Sequence, residues 1–155
     1  MKINVFYLFK SKYKPRRYRM KLSARNQFEG KVIGVNEGAV NGIVSLDVNG
    51  TKISGTISMA AIKELGIIEG VTATAIIKAT DVMVAVGELK LSARNQFAGK
   101  VTSIAEGAVN DIVVIDTPVG AVSATISKAA VEELGLAKDS EAIAIIKATS
   151  VMFAR

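Results

Sequence analysis

The sequence predicts a mainly β protein made of two tandem, small OB-like β-barrel modules, each with one short helix. First, the segment Lys21–Phe28 recurs at Lys90–Phe97, and the 69-residue offset continues without a gap to the end of the chain, with 38 of 66 positions identical. Second, each copy holds short runs of β-branched residues bounded by Gly, Asn or Pro, which is typical of strands. Third, 50% of the 155 residues are hydrophobic, enough to bury a core. We therefore expect modules at 20–88 and 89–155, after a leader at 1–19.

The first three strands of each module are predicted from their β-branched content and from the turns between them. In the first copy these strands are Gly30–Val35, Ile43–Val48 and Lys52–Ile57. The second and third are joined by Asn49-Gly50, a pair that is typical of a type I′ hairpin turn. The second copy has Pro118-Val119-Gly120 at this point, which predicts a turn of another type.

One short helix follows these strands. Met59–Leu65 is the predicted helix, with Ser58 as its N-cap and Gly66 as the residue that ends it. Two more strands, Val71–Lys78 and Val82–Val86, complete a five-stranded OB-like barrel. The junction after Val86 is too short for a flexible tether, so the two modules should touch. The second copy repeats the helix signals at Ser127, Lys128–Leu134 and Gly135.

The positive charge of the chain is concentrated in its leader. The formal net charge is +6, but seven of the 20 Lys and Arg residues lie in 1–19 without any acidic residue, so residues 20–155 carry −1. Three interpretations are open for the leader: a basic arm for nucleic acid or a membrane surface, a signal peptide, or sequence upstream of a true start at Met20. We favour the last, in which 1–19 is disordered or not native. No stretch is long and apolar enough to span a bilayer, so we expect no membrane association and a cytoplasmic location.

The chain contains no His and no Cys, which excludes several classes of site. Disulfides, thiolate metal sites and cysteine nucleophiles are ruled out, and the commonest general base is missing. No pair of carboxylates is repeated in the two copies, and no phosphate-binding loop of the G-x-x-x-x-G-K-[ST] type occurs. We therefore predict that the protein is not an enzyme, with no catalytic residues and no direct ligands for a metal cation.

An OB-type nucleic-acid-binding protein, with the leader as a basic arm, is the alternative function. The near-neutral body disfavours it, because nucleic-acid binding depends on positive charge. OB surfaces also stack bases on aromatic side chains, and the body offers only Phe28, Phe97 and Phe153 for this. The phenylalanines of the repeated motif, Phe28 and Phe97, are expected in the core instead.

The repeated polar residues are nearly all hydrogen-bond donors. Each copy has a Ser-Ala-Arg-Asn segment, at 23–26 and 92–95, and a Lys-Ala-Thr segment, at 78–80 and 147–149. A serine also precedes each predicted helix, where free N–H groups favour an anion. A set made only of donors suits a fully deprotonated oxyanion, which has only acceptors. Taken singly, however, each residue also has a structural explanation as a helix cap, a solvated lysine or a surface arginine.

Several separate segments, in order and twice over, resemble the molbindin (Mop) module of the wider TOBE group. They are Leu22–Val32, Thr56–Ser58 and Ile76–Val82, with their counterparts in the second copy, and the resemblance covers 20–155. It implies a di-Mop molbindin: a cytoplasmic, non-catalytic protein for molybdate binding, storage and homeostasis, which can also take tungstate. It further implies six modules around a threefold axis, and so a homotrimer with oxyanion sites between modules of neighbouring subunits.

The resemblance also implies a ligand set for each copy. The alanines would act through their backbone N–H groups, and Thr80 and Thr149 are secondary candidates. The expected oxyanion ligands are Ser23, Ala24, Arg25, Ser58, Lys78 and Ala79 in the first copy, and Ser92, Ala93, Arg94, Ser127, Lys147 and Ala148 in the second.

The second copy departs from the first at three notable positions. Ala98 replaces Glu29, Asp111 replaces Gly42, and Lys128 replaces Met59. Lys128 would add a positive charge beside Ser127, which predicts two classes of site with different affinity.

Overall fold

A computed structural model describes residues 21–155 and contains ten strands and two short α-helices in that range. The expectation for the leader, 1–19, lies outside the described residues. In the first half the elements are β1 (Asn26–Glu37), β2 (Asn41–Val48), β3 (Thr51–Ser58), α1 (Met59–Glu64), β4 (Thr72–Ile77) and β5 (Met83–Ala85). In the second half they are β6 (Asn95–Ala105), β7 (Asn110–Thr117), β8 (Gly120–Ser127), α2 (Lys128–Glu133), β9 (Glu141–Ile146) and β10 (Met152–Ala154). A single 3₁₀ turn precedes β5 and another precedes β10, at Ala79–Asp81 and Ala148–Ser150.

The strands form two antiparallel five-stranded sheets, which confirms the mainly β prediction. Their orders are β10-β4-β1-β2-β3 and β5-β9-β6-β7-β8. Each sheet therefore takes its outermost short strand from the other half of the chain. Phe153 of β10 lies opposite Ala75 of β4, and Val84 of β5 lies opposite Ala144 of β9. The sequence pattern did not indicate this exchange, because a strand of three residues has too few side chains to specify its partner.

The two predicted turn types are both present. Asn49 and Gly50 have φ angles of 52° and 83°, the two positive values that a type I′ turn requires. The turn at Pro118-Val119 is closed by a side chain instead. The Thr117 hydroxyl donates to the carbonyl oxygen of Gly120 at 2.7 Å and accepts from the N–H of Val119 at 3.3 Å.

The caps of the two helices also agree with the sequence prediction. Ser58 Oγ accepts from the N–H of Ala61 at 3.1 Å, and Ser127 Oγ accepts from that of Ala130 at 3.1 Å. Gly66 ends α1 with a φ of 59°, and the next residue, Ile67, donates its N–H to the carbonyl of Ile62 at 3.0 Å. Gly66 donates its own N–H to the carbonyl of Lys63 at 3.1 Å, and the two bonds together form a Schellman motif. Within residues 21–155, neither helix has the length or the apolar character to cross a bilayer.

One hydrophobic core runs through both halves of the chain. Phe28 and Phe97 belong to it, with 8% and 4% of their surface exposed, as expected from the sequence. Phe153, from the exchanged strand β10, joins the same cluster. The exchange of short strands therefore makes the two modules share one interior, and neither barrel is complete without the other.

Two buried asparagines tie the modules together. Asn95 donates its side-chain amide to the carbonyl of Ser54 at 2.8 Å, and its Oδ1 accepts from the N–H of Ser54 at 2.8 Å. Asn26 makes the same two bonds, both 2.8 Å, with the backbone of Ser123. Each is 1% exposed. The asparagine of the repeated Ser-Ala-Arg-Asn segment is therefore structural: it pairs with a strand of the other module as a backbone group would.

A glycine makes room for the exchanged aromatic side chain in the first module. A Cβ atom on Gly55 would lie 2.5 Å from Cε2 of Phe153. In the second module the counterpart of Gly55 is Ala124, which is larger, and the counterpart of Phe153 is Val84, which is smaller. The glycine thus accompanies the larger exchanged side chain, and the alanine accompanies the smaller one.

This contact gives a first prediction. Gly55→Ala should lower the free energy of unfolding by about 1–3 kcal/mol through overpacking. Adding Phe153→Val should recover part of that loss, because the pair would then copy Ala124 and Val84. Chemical denaturation of the two single variants and the double variant measures the coupling. Strictly additive effects would contradict the contact.

Candidate functional site

The predicted ligands of each copy lie on an irregular segment just before the first long strand. In the first copy the amide of Gln27 donates to the carbonyls of Leu22 and Ala24, at 3.3 and 2.8 Å. In the second copy Gln96 makes the same bonds with Leu91 and Ala93, at 3.0 and 2.8 Å. These bonds engage carbonyl oxygens of the segment. The N–H groups of Ala24 and Ala93, in contrast, donate to no protein group in the part of the chain described. The glutamine of the motif thus positions the segment, a role that the sequence analysis did not assign.

Strand pairing brings this segment beside the predicted lysine. Asn26 lies opposite Ile77 in the β1–β4 ladder, so the residues before β1 meet those after β4. Asn95 and Ile146 have the same relation in the second module. Each lysine starts a 3₁₀ turn, whose first N–H groups have no carbonyl partner within the turn.

Two cavities result, one in each copy. The first cavity has a volume of about 540 Å³ and is lined by Ser23, Ala24, Arg25, Lys78, Ala79 and Thr80, together with Leu22, Ile76, Thr125, Met152 and Phe153. The second cavity has a volume of about 310 Å³ and is lined by Ser92, Ala93, Arg94, Lys147, Ala148 and Thr149, together with Met83 and Leu91. Ten of the twelve predicted ligands, and both secondary threonines, therefore lie in one cavity or the other.

Both cavities are positively charged and rich in donors. Each is lined by one arginine and one lysine, and no carboxylate lines either of them among the described residues. Serine and threonine hydroxyls and the free N–H groups of the alanines complete the donor set. Within residues 21–155 no cluster of His, Asp or Glu could hold a metal cation. The arrangement suits a small anion bound by charge-assisted hydrogen bonds.

Both cavities also lie between the modules. Thr125, Met152 and Phe153 of the second module line the first cavity, and Met83 of the first module lines the second. Thr125 was missed as a candidate, although it belongs to the repeated Thr-Ile-Ser segment that carried the resemblance. It adds a residue with a hydroxyl group from the other half of the chain to the lining.

The structure does not bring Ser58 and Ser127 into either cavity of their own chain. Gly42, near Ser58, lies opposite Glu37 at the far end of β1, whereas the first cavity is at the Asn26 end. Both hydroxyls are engaged as helix caps. Ser127 comes two residues after Thr125 along β8, so these two side chains leave the strand on the same face. The ligand role that the resemblance implies for the two serines is therefore not met within one chain.

The extra charge of Lys128 is neutralised. Its Nζ lies 3.6 Å from Oδ1 of Asp111 and 3.9 Å from Oε2 of Glu106. Asp111 is 1% exposed and also accepts from the N–H of Gly107 at 3.0 Å. The surroundings of Lys128 therefore do not support the expectation that this residue makes the second site more positive.

The residues around Gly42 in the first module and around Asp111 in the second differ in size in a way that suits each position. In the first module a Cβ on Gly42 would lie 2.6 Å from Cδ1 of Ile62 and 3.0 Å from Sδ of Met59. In the second module Val131 replaces Ile62 and Lys128 replaces Met59, which leaves room for the Asp111 side chain and supplies its counter-charge.

A second prediction follows from this ion pair. Lys128→Met leaves the Asp111 carboxylate buried without its cation and should cost about 2 kcal/mol of stability. This is less than the ~3–5 kcal/mol of a fully buried pair, because Lys128 is one-third exposed. Adding Asp111→Gly copies the first module and should restore most of the loss in a denaturation experiment. No recovery in the double variant would contradict the pairing.

Comparison with known proteins identifies a family. The TOBE domain matches twice, at residues 22–84 and 91–153. The molybdenum transport protein ModE of Herbaspirillum seropedicae is 38% identical over 143 residues, which cover 90% of this chain and 53% of ModE. The chain thus spans about half the length of that relative. A probable molybdenum-pterin-binding protein of Haemophilus influenzae is 54% identical over 68 residues, which cover 43% of this chain and 99% of the relative.

A solved structure extends the likeness to the whole body. The structure, described as the cytoplasmic molybdate-binding protein ModG with molybdate bound, superimposes with a TM-score of 0.84 at 36% sequence identity. The alignment covers 87% of this chain and 99% of that protein, so both modules are matched in one superposition.

Proposed function

The chain belongs to the TOBE-domain family, with two tandem copies of the domain, and from this premise we propose that it is a di-Mop molybdate-binding protein. The observation that carries the proposal is a pair of cavities, each lined by the Ser-Ala-Arg and Lys-Ala segments of one copy and by no carboxylate of the described residues. The likeness to ModG, described as molybdate-binding, supports the same ligand.

Binding would proceed by exchange of water for fixed donors. The guanidinium of Arg25 and the ammonium of Lys78 supply charge in the first cavity, and Arg94 and Lys147 do so in the second. Serine hydroxyls and alanine N–H groups complete the hydrogen bonds to a tetrahedral dianion. Tungstate has the same charge and shape and would bind in the same way.

Discrimination against phosphate would follow from the donor-rich lining. Near neutral pH phosphate often keeps a proton, and that O–H needs an acceptor. The cations and N–H groups of these cavities cannot accept it, and a serine or threonine hydroxyl that did so would offer the anion one donor less.

The proposal includes a homotrimer in the cytoplasm that stores the anion without transforming it. Ser58 and Ser127 lie outside the cavities of their own chain, so they would act as ligands only by reaching a cavity of a neighbouring subunit. The apolar side chains at the cavity mouths support an interface there: Leu22 and Met152 flank the first cavity, Met83 and Leu91 the second, and each is 42–47% exposed.

The alternative of nucleic-acid binding gains no support from the fold. Its three stacking candidates, Phe28, Phe97 and Phe153, are at most 9% exposed and pack in the core. Stacking a base on Phe28 or Phe97 would require opening the core, and Phe153, which lines the first cavity, exposes only 9% of its surface.

Molybdenum analysis of the purified oligomer, together with its mass in solution, tests the proposal. We expect a trimer that holds several molybdenum atoms after equilibration with micromolar molybdate and removal of excess. A protein that retains no molybdenum under these conditions would contradict it.

A further inference from the structure

A third cavity lies on the outer face of the first sheet and is separate from the two described above. It has a volume of about 410 Å³ and spans neighbouring positions of β1, β2 and β3. Its polar lining consists of Asn36, Ser45, Lys52 and Ser54 from the first module and Arg94 from the second. Gly34, Val35 and Ile43 complete its wall.

The third cavity combines two positive charges with groups that can accept a hydrogen bond. Lys52 and Arg94 supply two positive charges. The hydroxyls of Ser45 and Ser54 lie 3.0 Å apart, so one donates to the other while the second keeps a free O–H. Hydroxyl and amide oxygens also accept hydrogen bonds, which ammonium and guanidinium groups cannot do. The cavity can therefore pair with an anion that carries a proton.

The second module shows that the fold does not require this polar set. The counterparts of Asn36, Ser45 and Lys52 are Ala105, Val114 and Ala121, and among the serines only Ser54 has a serine counterpart, Ser123. These positions have the same strand pairing in both sheets. Ordinary strand packing is thus satisfied by apolar residues, and the polar residues of the first module need another explanation.

Among the described residues, no acidic side chain lines the third cavity. Asp47 lies opposite Lys52 in the β2–β3 ladder but does not line the cavity. Among residues 21–155 it forms no ion pair within 4.0 Å, since Lys128 alone is paired there. Lys52 is exposed and remains available to a ligand.

We propose that the third cavity binds a phosphoryl group, as inorganic phosphate or as a small phosphomonoester, at one site per chain. Lys52 and Arg94 hold the charged oxygens, and the Ser45–Ser54 pair and Asn36 accept the phosphate O–H as well as donating. Arg94 also lines the second cavity. Ligands of the two cavities therefore compete for one guanidinium, a consequence that rests on the proposed molybdate function.

Calorimetric titration of the full chain, freed of molybdate, tests the site with two probes, inorganic phosphate and glycerol phosphate. We expect at least one of them to saturate at one equivalent per chain. Lys52→Ala with Ser45→Val, which installs the residues of the second module, should weaken that binding about tenfold or more. Lys52→Ala alone, at an exposed position, should weaken it in the same direction and covers the case in which the double variant is unstable.

Lys31→Ala is the matched control, because Lys31 is a cation of the same sheet that lies opposite Asp47 outside the cavity. It should leave phosphate binding unchanged. The proposal is overturned if neither probe binds at millimolar concentration, or if the Lys52 variants bind as the control does. Molybdate titration of the same variants separates the two proposals: loss of phosphate binding alone supports the third cavity, whereas absence of molybdate binding in every protein concerns only the proposed function.

Discussion

Replacing both cavity arginines, Arg25→Ala with Arg94→Ala, should abolish molybdate binding at micromolar concentration. Among the described residues, the cations of the first cavity are Arg25 and Lys78, and those of the second are Arg94 and Lys147. Loss of charged hydrogen bonds costs about 1.5–3 kcal/mol, or roughly 10- to 150-fold in affinity per cavity. Equilibrium dialysis against molybdate measures the loss, and the single variants should each remove one class of site.

The matched control for this experiment is Lys21→Ala with Lys90→Ala. It removes the same two charges from the same repeated motif, at exposed residues that line neither cavity. Affinity should stay within about twofold of the unmodified protein, because exposed charges at a distance are screened. If the lysine and arginine pairs weaken binding equally, the effect is one of net charge and the assignment of the cavities fails.

Asn95→Ala should be among the most destabilising single substitutions outside the cavities. The side chain is 1% exposed and makes three hydrogen bonds, two with Ser54 and one, at 3.1 Å, with the carbonyl of Ile146. Its removal leaves a buried N–H and buried carbonyls without partners, at about 1–3 kcal/mol each. We expect a loss of about 3 kcal/mol or more in the free energy of unfolding, measured by denaturant titration.

Asn26→Ala provides an internal comparison. Within residues 21–155 Asn26 makes only the two bonds with Ser123, and they are partly accessible to water, which can replace the lost partner. Its loss should therefore be smaller, about 1–2 kcal/mol. Equal losses at the two positions, or a loss below 1 kcal/mol at Asn95, would show that these asparagines do not hold the modules together.

The repeat made most of the fold predictable. Local signals were reliable where one or two residues determine geometry, as at Asn49-Gly50 and the Ser58 cap. The exchange of β5 and β10 was not predictable, because Met83–Ala85 and Met152–Ala154 are too short and too alike to specify which neighbour they pair with. Pairing between distant segments depends on the geometry of the whole chain, which local propensity does not describe.

The cavity residues that lie at the paired ends of two adjacent strands were predicted from the sequence. Arg25 and Lys78 meet because their strands are adjacent at one end, and the resemblance had placed them together. The roles of Gln27 and Asn26 were not predicted, since a motif does not reveal which of its polar groups face the backbone. The charge of Lys128 was misjudged because its partner, Asp111, is 17 residues away in sequence and is reached only through folding.

The most direct test of the account is anomalous X-ray diffraction at the molybdenum edge from crystals grown with molybdate. We expect molybdenum in both cavities, with its oxygen atoms at hydrogen-bond distance from Arg25 and Lys78 in the first and from Arg94 and Lys147 in the second. Molybdenum found only elsewhere on the molecule, with both cavities empty, would contradict the central claim.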